Sequence, residues 1–402
     1  MGADTTTILS IDGGGVRGII PGVILDHLES KLKEYDGENA RLADYFDVVS
    51  GTSTGGLITT MISTPNDKGR PLFDANQIVP FYKQECPKIF SNSGSLFVGS
   101  PTYDGKYLHE LLRKILKEKR LSSTLTKVVI PAYDIKKLLP IVFSSYEVDN
   151  HGELNALLSD ICISTSAAPT YLPAYKFSNK NAEFNMIDGG VAANNPTMAA
   201  ITEVVKSRAR KAELEKGKGK GKRKREEESS DLINSSRLLV LSLGTGAAKK
   251  VGKYDVETVN NWWVIDWINN PSWNLFWNPD RPILEILSDG NSDMIDHYTT
   301  MFFDSFHNHE NFLRIQDSAL PKELAAMDNA SPGNLEKLEQ YAKDLLKRPV
   351  TRLNLATSER ITVNENETYE VALGKFAEKL IAIKKSRAKL VDPQQGYAMA
   401  LY

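Results

Sequence analysis

Short apolar runs alternate with longer amphipathic stretches through the first half of the chain. The run from Ile8 to Ile11 precedes a glycine-rich loop and then an amphipathic stretch from Ile19 to about Tyr35. The segments "YFDVVS", "GTSTGG" and "LITTMIS" repeat this order of strand, turn and helix. Strands and helices that alternate in such short units predict a mostly parallel sheet between two helical layers, a three-layer α/β/α fold.

The same pattern continues downstream and then changes. Strands are predicted at "KVVIPAYDI", "LPIVFSSYEV", "FNMIDGG" and "RLLVLSLGTG", with a helix near "LNALLSDICISTSA". Another helix is predicted with Pro196 in its first turn and Asn194 or Asn195 as its cap. Beyond Glu285 the pattern is mainly helical. We therefore expect a single domain over 1–402, with an α/β core over 7–207 and a last strand and helical part over 236–402.

A basic segment interrupts this domain over 208–235. Seven basic residues between Lys216 and Arg225 are followed by three glutamates, and no apolar residue lies among them. This composition predicts a solvated, disordered insertion. A nuclear-localisation or anionic-surface role is the alternative, but Glu226 to Glu228 compensate the charge locally.

Composition narrows the class of protein. The 402 residues are 41% hydrophobic and 25% charged, and the net charge of -2 gives no reason to expect nucleic acid as a partner. Cys86 and Cys162 lie in no C-x-x-C motif, so we expect buried thiols and no metal or other cofactor. The sequence contains neither a signal-peptide pattern at the N-terminus nor an apolar run long enough to span a bilayer, which predicts a cytoplasmic protein.

All five tryptophans fall between Trp262 and Trp277. Such a cluster is found at membrane interfaces, where an amphipathic ring suits a half-wet boundary. It is also found where a C-terminal layer packs onto a sheet, and the pattern favours that packing.

A candidate nucleophile lies in the second strand-turn-helix unit. Ser53 stands between Gly51 and Gly55 in a G-x-S-x-G pattern, directly after an apolar strand and before an apolar helix. This is the placement of a serine nucleophile on a sharp turn, where the glycines leave room for strained backbone and close substrate approach.

The first glycine loop has two possible uses. Gly13, Gly15 and Gly18 match the G-x-G-x-x-G spacing of a dinucleotide site, but the second strand lacks the acidic residue that would bind the ribose. A glycine loop before a helix also presents free N–H groups that can stabilise an oxyanion. With a serine nucleophile after the neighbouring strand, this second use explains both motifs.

The sequence offers two residue types, histidine and aspartate, as the proton acceptor for Ser53. The six histidines are His27, His109, His151, His297, His307 and His309, and the last three fit the order of a hydrolase triad. Asp188 is better placed, because it ends an apolar strand and precedes Gly189 and Gly190. Free aspartate is a weak base, so burial would have to raise its basicity.

Three motifs in order resemble the patatin-like phospholipases, specifically the plant patatin-type lipid acyl hydrolases. They are "DGGGVRG" from Asp12, "GTSTG" from Gly51 and "DGG" from Asp188. The stretches "STSAAPTYLPAY", "NNPT", "LSLGTG", "NFLRIQ" and "MDNAS" are similar to the same family, so the resemblance covers nearly the whole chain.

The resemblance implies a patatin-like fold whose catalytic core is the 7–207 region. It implies a Ser53–Asp188 dyad, an oxyanion hole from Gly13, Gly14 and Gly15, and a supporting or head-group role for Arg17 beside Gly18. The expected reaction is metal-independent hydrolysis of fatty-acyl esters in phospholipids and galactolipids, at the surface of a membrane, in lipid turnover or plant defence. A catalytically quiet storage protein of the same fold is the alternative.

Overall fold

The computed structural model describes residues 2–91, 101–216, 234–248, 255–268 and 282–391, and an eight-stranded mixed sheet lies at their centre. The strand order is β5-β6-β3-β2-β1-β7-β8, and β4 pairs with the opposite edge of β3. Pairs among β1, β2, β3, β7 and β8 are parallel, whereas β4, β5 and β6 make antiparallel pairs. The strands of this sheet are β1 (Thr6–Ile11), β2 (Val48–Gly51), β3 (Lys127–Asp134), β4 (Leu139–Ser144), β5 (Tyr175–Asn179), β6 (Ala182–Asp188), β7 (Leu238–Leu243) and β8 (Phe312–Ile315).

Helices cover both faces of this sheet. In chain order they are α1 (Ile19–Asp36), α2 (Thr54–Ser63), α3 (Ile78–Ile89), α4 (Lys106–Leu116), α5 (Leu158–Thr165), α6 (Gly190–Ala193), α7 (Thr197–Lys216), α8 (Val256–Val259), α9 (Val264–Ile268), α10 (Pro282–Ser305), α11 (Pro332–Leu346) and α12 (Tyr369–Val391). A separate antiparallel hairpin comprises β9 (Pro349–Leu353) and β10 (Arg360–Thr368).

Side chains alternate between the two faces of the central strands, so a hydrophobic core forms on each face of the sheet. In β1, Leu9 and Ile11 pack with α1, α11 and α12, whereas Ile8, which precedes Leu9, packs on the opposite face with α7 and with Phe303 of α10. Successive side chains of a strand point to opposite faces, so a strand buried on both sides is apolar throughout. The predicted three-layer α/β fold is confirmed.

The observed elements refine the sequence predictions. Helix α2 begins at Thr54, directly after the candidate nucleophile, and α7 continues to Lys216, so the first part of the range 208–235 is helical. Residues 217–233 lie outside the described residues. Asn195 caps α7, because its side-chain oxygen accepts the Thr197 N–H at 3.0 Å. Helices dominate beyond Glu285, but β8 and the β9–β10 hairpin were not predicted.

Candidate active site

Strands β2 and β6 meet end to end along one edge of β3. Val129 of β3 pairs with Ser50 on one side and with β4 on the other. Three residues later, Ala132 pairs with Asp188 on one side and again with β4 on the other. Because β4 occupies the same edge of β3 throughout, β2 and β6 share the opposite edge. Their carboxyl ends therefore converge, which brings Ser53 and Asp188 together from 135 positions apart in the sequence.

Ser53 sits on a strained turn. Its backbone angles are φ 54° and ψ -122°, a conformation that a residue with a side chain rarely adopts. The Ser53 N–H donates to Thr165 Oγ1 at 2.9 Å, and Thr165 Oγ1 in turn donates to the carbonyl of Pro131 at 2.6 Å. Ser53 also precedes the first residue of α2, so the positive end of the helix dipole lies beside it. The turn therefore has the backbone geometry expected of a nucleophile elbow, and the role of Ser53 as the nucleophile stays a prediction.

The elbow depends on close backbone contact. A Cβ atom on Gly55 would lie 2.1 Å from the carbonyl oxygen of Ile11, and one on Gly51 would lie 2.0 Å from the carbonyl oxygen of Gly55. Neither neighbour is a flexible side chain that could move away. Both glycines of the G-x-S-x-G motif are therefore required by packing against β1 and α2.

Asp188 is the buried partner of Ser53. Its side chain is 5% exposed, it accepts the Gly190 N–H at 2.7 Å, and it is hydrogen-bonded to the Ser53 side chain. Burial raises the pKa of Asp188 to about 6, and the hydrogen bonds from Gly190 and Ser53 only partly oppose that rise. A carboxylate with this pKa is a better proton acceptor than free aspartate, and it is still ionised at neutral pH.

The glycine loop approaches Ser53 from the end of β1. A Cβ atom on Gly13 would lie 3.3 Å from the Cβ of Ser53. The Gly13 N–H already donates to the carbonyl of Asn194 at 3.0 Å. Among the described residues, neither the Gly14 N–H nor the Gly15 N–H has a hydrogen-bond acceptor. Of the three predicted oxyanion donors, Gly14 and Gly15 are therefore the available ones.

The conformation of this loop is fixed by its neighbours. Gly15 has φ +59°, and a Cβ atom there would lie 2.1 Å from the carbonyl oxygen of Met327, which also accepts the Val16 N–H at 2.9 Å. Arg17 donates from Nη1 to the carbonyl of Gly246 at 2.7 Å and from Nε to the carbonyl of Gly14 at 3.3 Å. These bonds agree with the loop-supporting role predicted for Arg17.

A buried ion-pair network anchors the start of the loop. Arg314 of β8 binds both carboxylate oxygens of Asp12, at 3.0 and 2.6 Å, and its Nε lies 2.9 Å from Asp296 of α10. Asn195 donates to the same Asp296 at 2.8 Å. Burial raises the pKa of Asp12 to about 6, although the adjacent Arg314 guanidinium opposes the rise. The network ties the glycine loop and the segment after Asp188 to Arg314.

Sequence reasoning missed several of these supporting residues. Arg314 and Met327 lie in "NFLRIQ" and "MDNAS", stretches that the family resemblance marked without giving them a role. The signal for Arg314 was a charged residue inside an apolar strand, which needs a buried partner. Thr165 lies in the marked stretch "STSAAPTYLPAY", also without a role, and nothing local marked Asp296, which acts through the tertiary contacts of α10.

The histidines lie at other places in the fold. The ring of His109 packs on Tyr175 at 5.2 Å, and His151 pairs with Glu153 at 3.3 Å. His307 and His309 flank Asn308, which donates to Ser235 just before β7 begins, at the opposite edge of the sheet from Ser53. The remaining two are His27 on α1 and His297 on α10.

Other sequence predictions concern metals, membranes and the tryptophans. Within the described ranges, no group of three His, Cys, Asp or Glu side chains could hold a metal ion, and both cysteines are free and buried. No helix of the described part is both long and apolar enough to cross a bilayer. Trp262 packs edge to face on Trp267 at 5.1 Å, whereas Trp263 is 78% exposed. The other two tryptophans lie outside the described residues.

Comparison with known proteins agrees with this architecture. The model of the patatin family, described as patatin-like phospholipase, matches residues 9–201. The chain is 45% identical to patatin-like protein 2 of Arabidopsis thaliana, over 98% of this chain and 94% of that protein. It is 43% identical to patatin-like protein 3 of the same plant, over 95% and 90%, and 39% identical to patatin-07 of Solanum tuberosum, over 96% and 92%.

The fold and the elbow define an α/β protein with a serine-centred site. The chain belongs to the patatin-like phospholipase family. At the level of the family, this makes it a lipid acyl hydrolase with lipid substrates.

Proposed function

We propose that the chain is a metal-independent serine acyl hydrolase that cleaves fatty-acyl esters of phospholipids and galactolipids. Ser53 is the nucleophile and Asp188 its general base. The observation that carries this proposal is the convergence of β2 and β6, which brings Ser53 next to Asp188, a buried carboxylate with a pKa of about 6. The lipid classes, and a role in lipid turnover or plant defence, are supported by the family resemblance.

The proposed reaction has two halves. Asp188 accepts the proton of the Ser53 hydroxyl while Oγ attacks the ester carbonyl, and the Gly14 and Gly15 N–H groups stabilise the oxyanion. The protonated Asp188 then donates to the leaving alcohol, which departs and leaves an acyl-Ser53 ester. Water attacks this ester with Asp188 again as base, which releases the fatty acid and restores Ser53.

The direct test is product analysis on mixed phospholipid and galactolipid vesicles. The parent protein should release fatty acid, and Ser53→Ala should lower the rate by about 10⁴-fold or more, because the nucleophile is removed. Ser91→Ala is the matched control, since Ser91 is exposed and, within the part of the chain that the structure describes, its hydroxyl donates to the carbonyl of Lys88 at 2.9 Å. If no fatty acid release depends on Ser53, the chain is instead a catalytically quiet storage or interaction protein of this fold.

A further inference from the structure

Two exposed apolar projections extend beyond the edge of the sheet that carries Ser53. This edge, where the parallel strands end, is called the carboxyl edge here. One projection is the turn between β3 and β4, and the other is the N-terminal end of α10. Neither takes part in the proposed chemistry.

The β3–β4 turn projects in the plane of the sheet. Because β3 is parallel to β2, both strands end at the carboxyl edge. Val129 is level with Ser50, and β3 continues for five more residues, which corresponds to about 16 Å. The turn that follows exposes Leu138 and Leu139 by 70% and 55%. Leu138 also has φ 54°, so the chain holds a large apolar residue in a strained conformation at an exposed tip.

Helix α10 projects past the same edge on one face of the sheet. Asn291 donates to the carbonyl of Ala192 at 3.0 Å, in the segment that follows Asp188. Beyond the other end of the helix, Asn308 contacts Ser235 just before β7 begins. The helix therefore runs away from the carboxyl edge. Ile286 and Leu287 precede Asn291 by five and four residues, about 8 and 6 Å along the axis, and are 41% and 62% exposed.

Lysines surround the first projection. Lys136 and Lys176 share one half-buried partner, Glu183, at 3.0 and 2.7 Å. Lys137 lies 3.8 Å from Asp134, which is fully buried. The surface of the turn thus carries a surplus of positive charge next to exposed leucines. Exposed apolar side chains flanked by lysines are typical of surfaces that bind anionic lipid head groups.

We propose that the carboxyl edge docks on an anionic lipid bilayer through these two projections, so that Ser53 faces the membrane surface. The proposal rests on the lipid hydrolase function above. Leu138 and Leu139 insert between head groups, Ile286 and Leu287 contact the same surface on the flank of α6, and Lys136 and Lys137 pair with lipid phosphates.

The test is vesicle sedimentation with full-length Ser53→Ala, which removes hydrolysis from the measurement. Vesicles are phosphatidylcholine with or without phosphatidylglycerol. Leu138→Ser with Leu139→Ser, and Ile286→Ser with Leu287→Ser, should each weaken binding by about tenfold or more, because each removes buried apolar area. Lys136→Ala with Lys137→Ala should reduce the preference for phosphatidylglycerol.

Matched controls come from equally exposed apolar residues elsewhere. Met301 is 49% exposed on α10 but lies ten residues after Asn291, about 15 Å farther from the carboxyl edge. Leu214 is 74% exposed on α7. Met301→Ser and Leu214→Ser should bind vesicles within twofold of the parent. If a double variant fails to fold, the single variant at its more exposed residue, Leu138→Ser or Leu287→Ser, replaces it.

Several results would overturn the proposal. These are parent-like vesicle binding by both double variants, equal losses in the controls, or a smaller assembly of the double variants than of the parent in size-exclusion chromatography without a change in vesicle binding. The last result would assign the projections to a second copy of the chain. These outcomes are independent of Ser53 chemistry. Absence of Ser53-dependent ester hydrolysis would defeat the proposed function even if vesicle binding followed the prediction.

Discussion

The two sides of Ser53 are held in place by different kinds of interaction. On the glycine-loop side, Asp12 is clamped by the Arg314 guanidinium, which also pairs with Asp296. On the elbow side the bonds are neutral. Thr165 accepts the Ser53 N–H, and the Thr52 hydroxyl donates to the carbonyl of Ala193 at 2.6 Å.

This difference has a chemical consequence for the two buried aspartates. Both lie at strand ends, and burial raises the pKa of each to about 6. Both carboxylate oxygens of Asp12 bind the Arg314 guanidinium, so Asp12 anchors the start of the glycine loop. Asp188 accepts only neutral donors among the described residues, namely the Gly190 N–H and the Ser53 side chain. A cation beside Asp188 would lower its pKa and weaken it as a base.

The largest expected effect is on catalysis. Asp188→Asn should reduce turnover of a soluble ester such as p-nitrophenyl butyrate by about 10²- to 10⁴-fold, because an amide cannot accept the Ser53 proton. Asp160→Asn is the matched control. Asp160 is a half-buried acid whose known contact is the Tyr175 hydroxyl at 2.6 Å, and its replacement should leave turnover within a fewfold range. If Asp188→Asn keeps near-normal turnover, Asp188 is not the base, and its role does not differ from that of Asp12.

On the glycine-loop side, replacing Arg314 should lower the stability of the protein. Arg314→Met should lower the free energy of unfolding by about 3–5 kcal/mol, because Asp12 would be left buried without its cation. Arg314→Lys keeps the positive charge and should lower the free energy of unfolding by less. Arg70→Met is the control, since its pair with Asp44 at 2.8 Å is partly exposed, and the expected loss is below about 1 kcal/mol. Denaturant unfolding at neutral pH measures all three. Equal losses for Arg314→Met and Arg70→Met would contradict the anchor role.

The pH dependence of stability tests the buried state of Asp188. The folded-state pKa of Asp188 is about 6 against an ordinary 3.8, so folding favours the protonated form. The cost of ionising it is absent below about pH 4 and complete above about pH 6. Asp188→Asn removes that cost, so above pH 6 it should be more stable than the parent by up to about 3 kcal/mol. Thermal unfolding from pH 4 to 8 would show whether the gain appears in that window or, against expectation, at no pH.

The smallest expected effect concerns a hydrogen bond to Thr54, the residue that follows Ser53 on the elbow side. The buried Tyr82 hydroxyl contacts both the side chain of Thr54 and, at 3.1 Å, its carbonyl oxygen. Tyr82→Phe should cost about 1 kcal/mol of stability and a few-fold in turnover, because Thr54 directly follows the nucleophile. Tyr45→Phe loses a bond of the same type to Asp36 at 2.6 Å, remote from the site, and should keep full turnover. If both variants lose turnover alike, Tyr82 has no specific role.

The sequence predicted best those parts of the structure that are formed by residues close together in the chain. Strand, glycine turn and helix follow one another directly around Gly15 and Ser53, so periodicity and glycine spacing predicted them. The pairing of Asp12 with Arg314 joins residues 302 positions apart, and no local pattern encodes it. Strand β8 is short with an arginine inside it, and β10 reads "RITVNENET", too polar to resemble a buried strand.

The role of Asp188 as the base for Ser53 is tested most directly by the pH dependence of Ser53 labelling with a fluorophosphonate probe. In the parent protein, the labelling rate should rise tenfold per pH unit below about pH 6 and level off above it, as Asp188 ionises. In Asp188→Asn this rise should be lost and the rate should stay low throughout. A parent-like rise in Asp188→Asn, abolished instead by replacing His297, His307 or His309, would contradict the account and assign the base to a histidine.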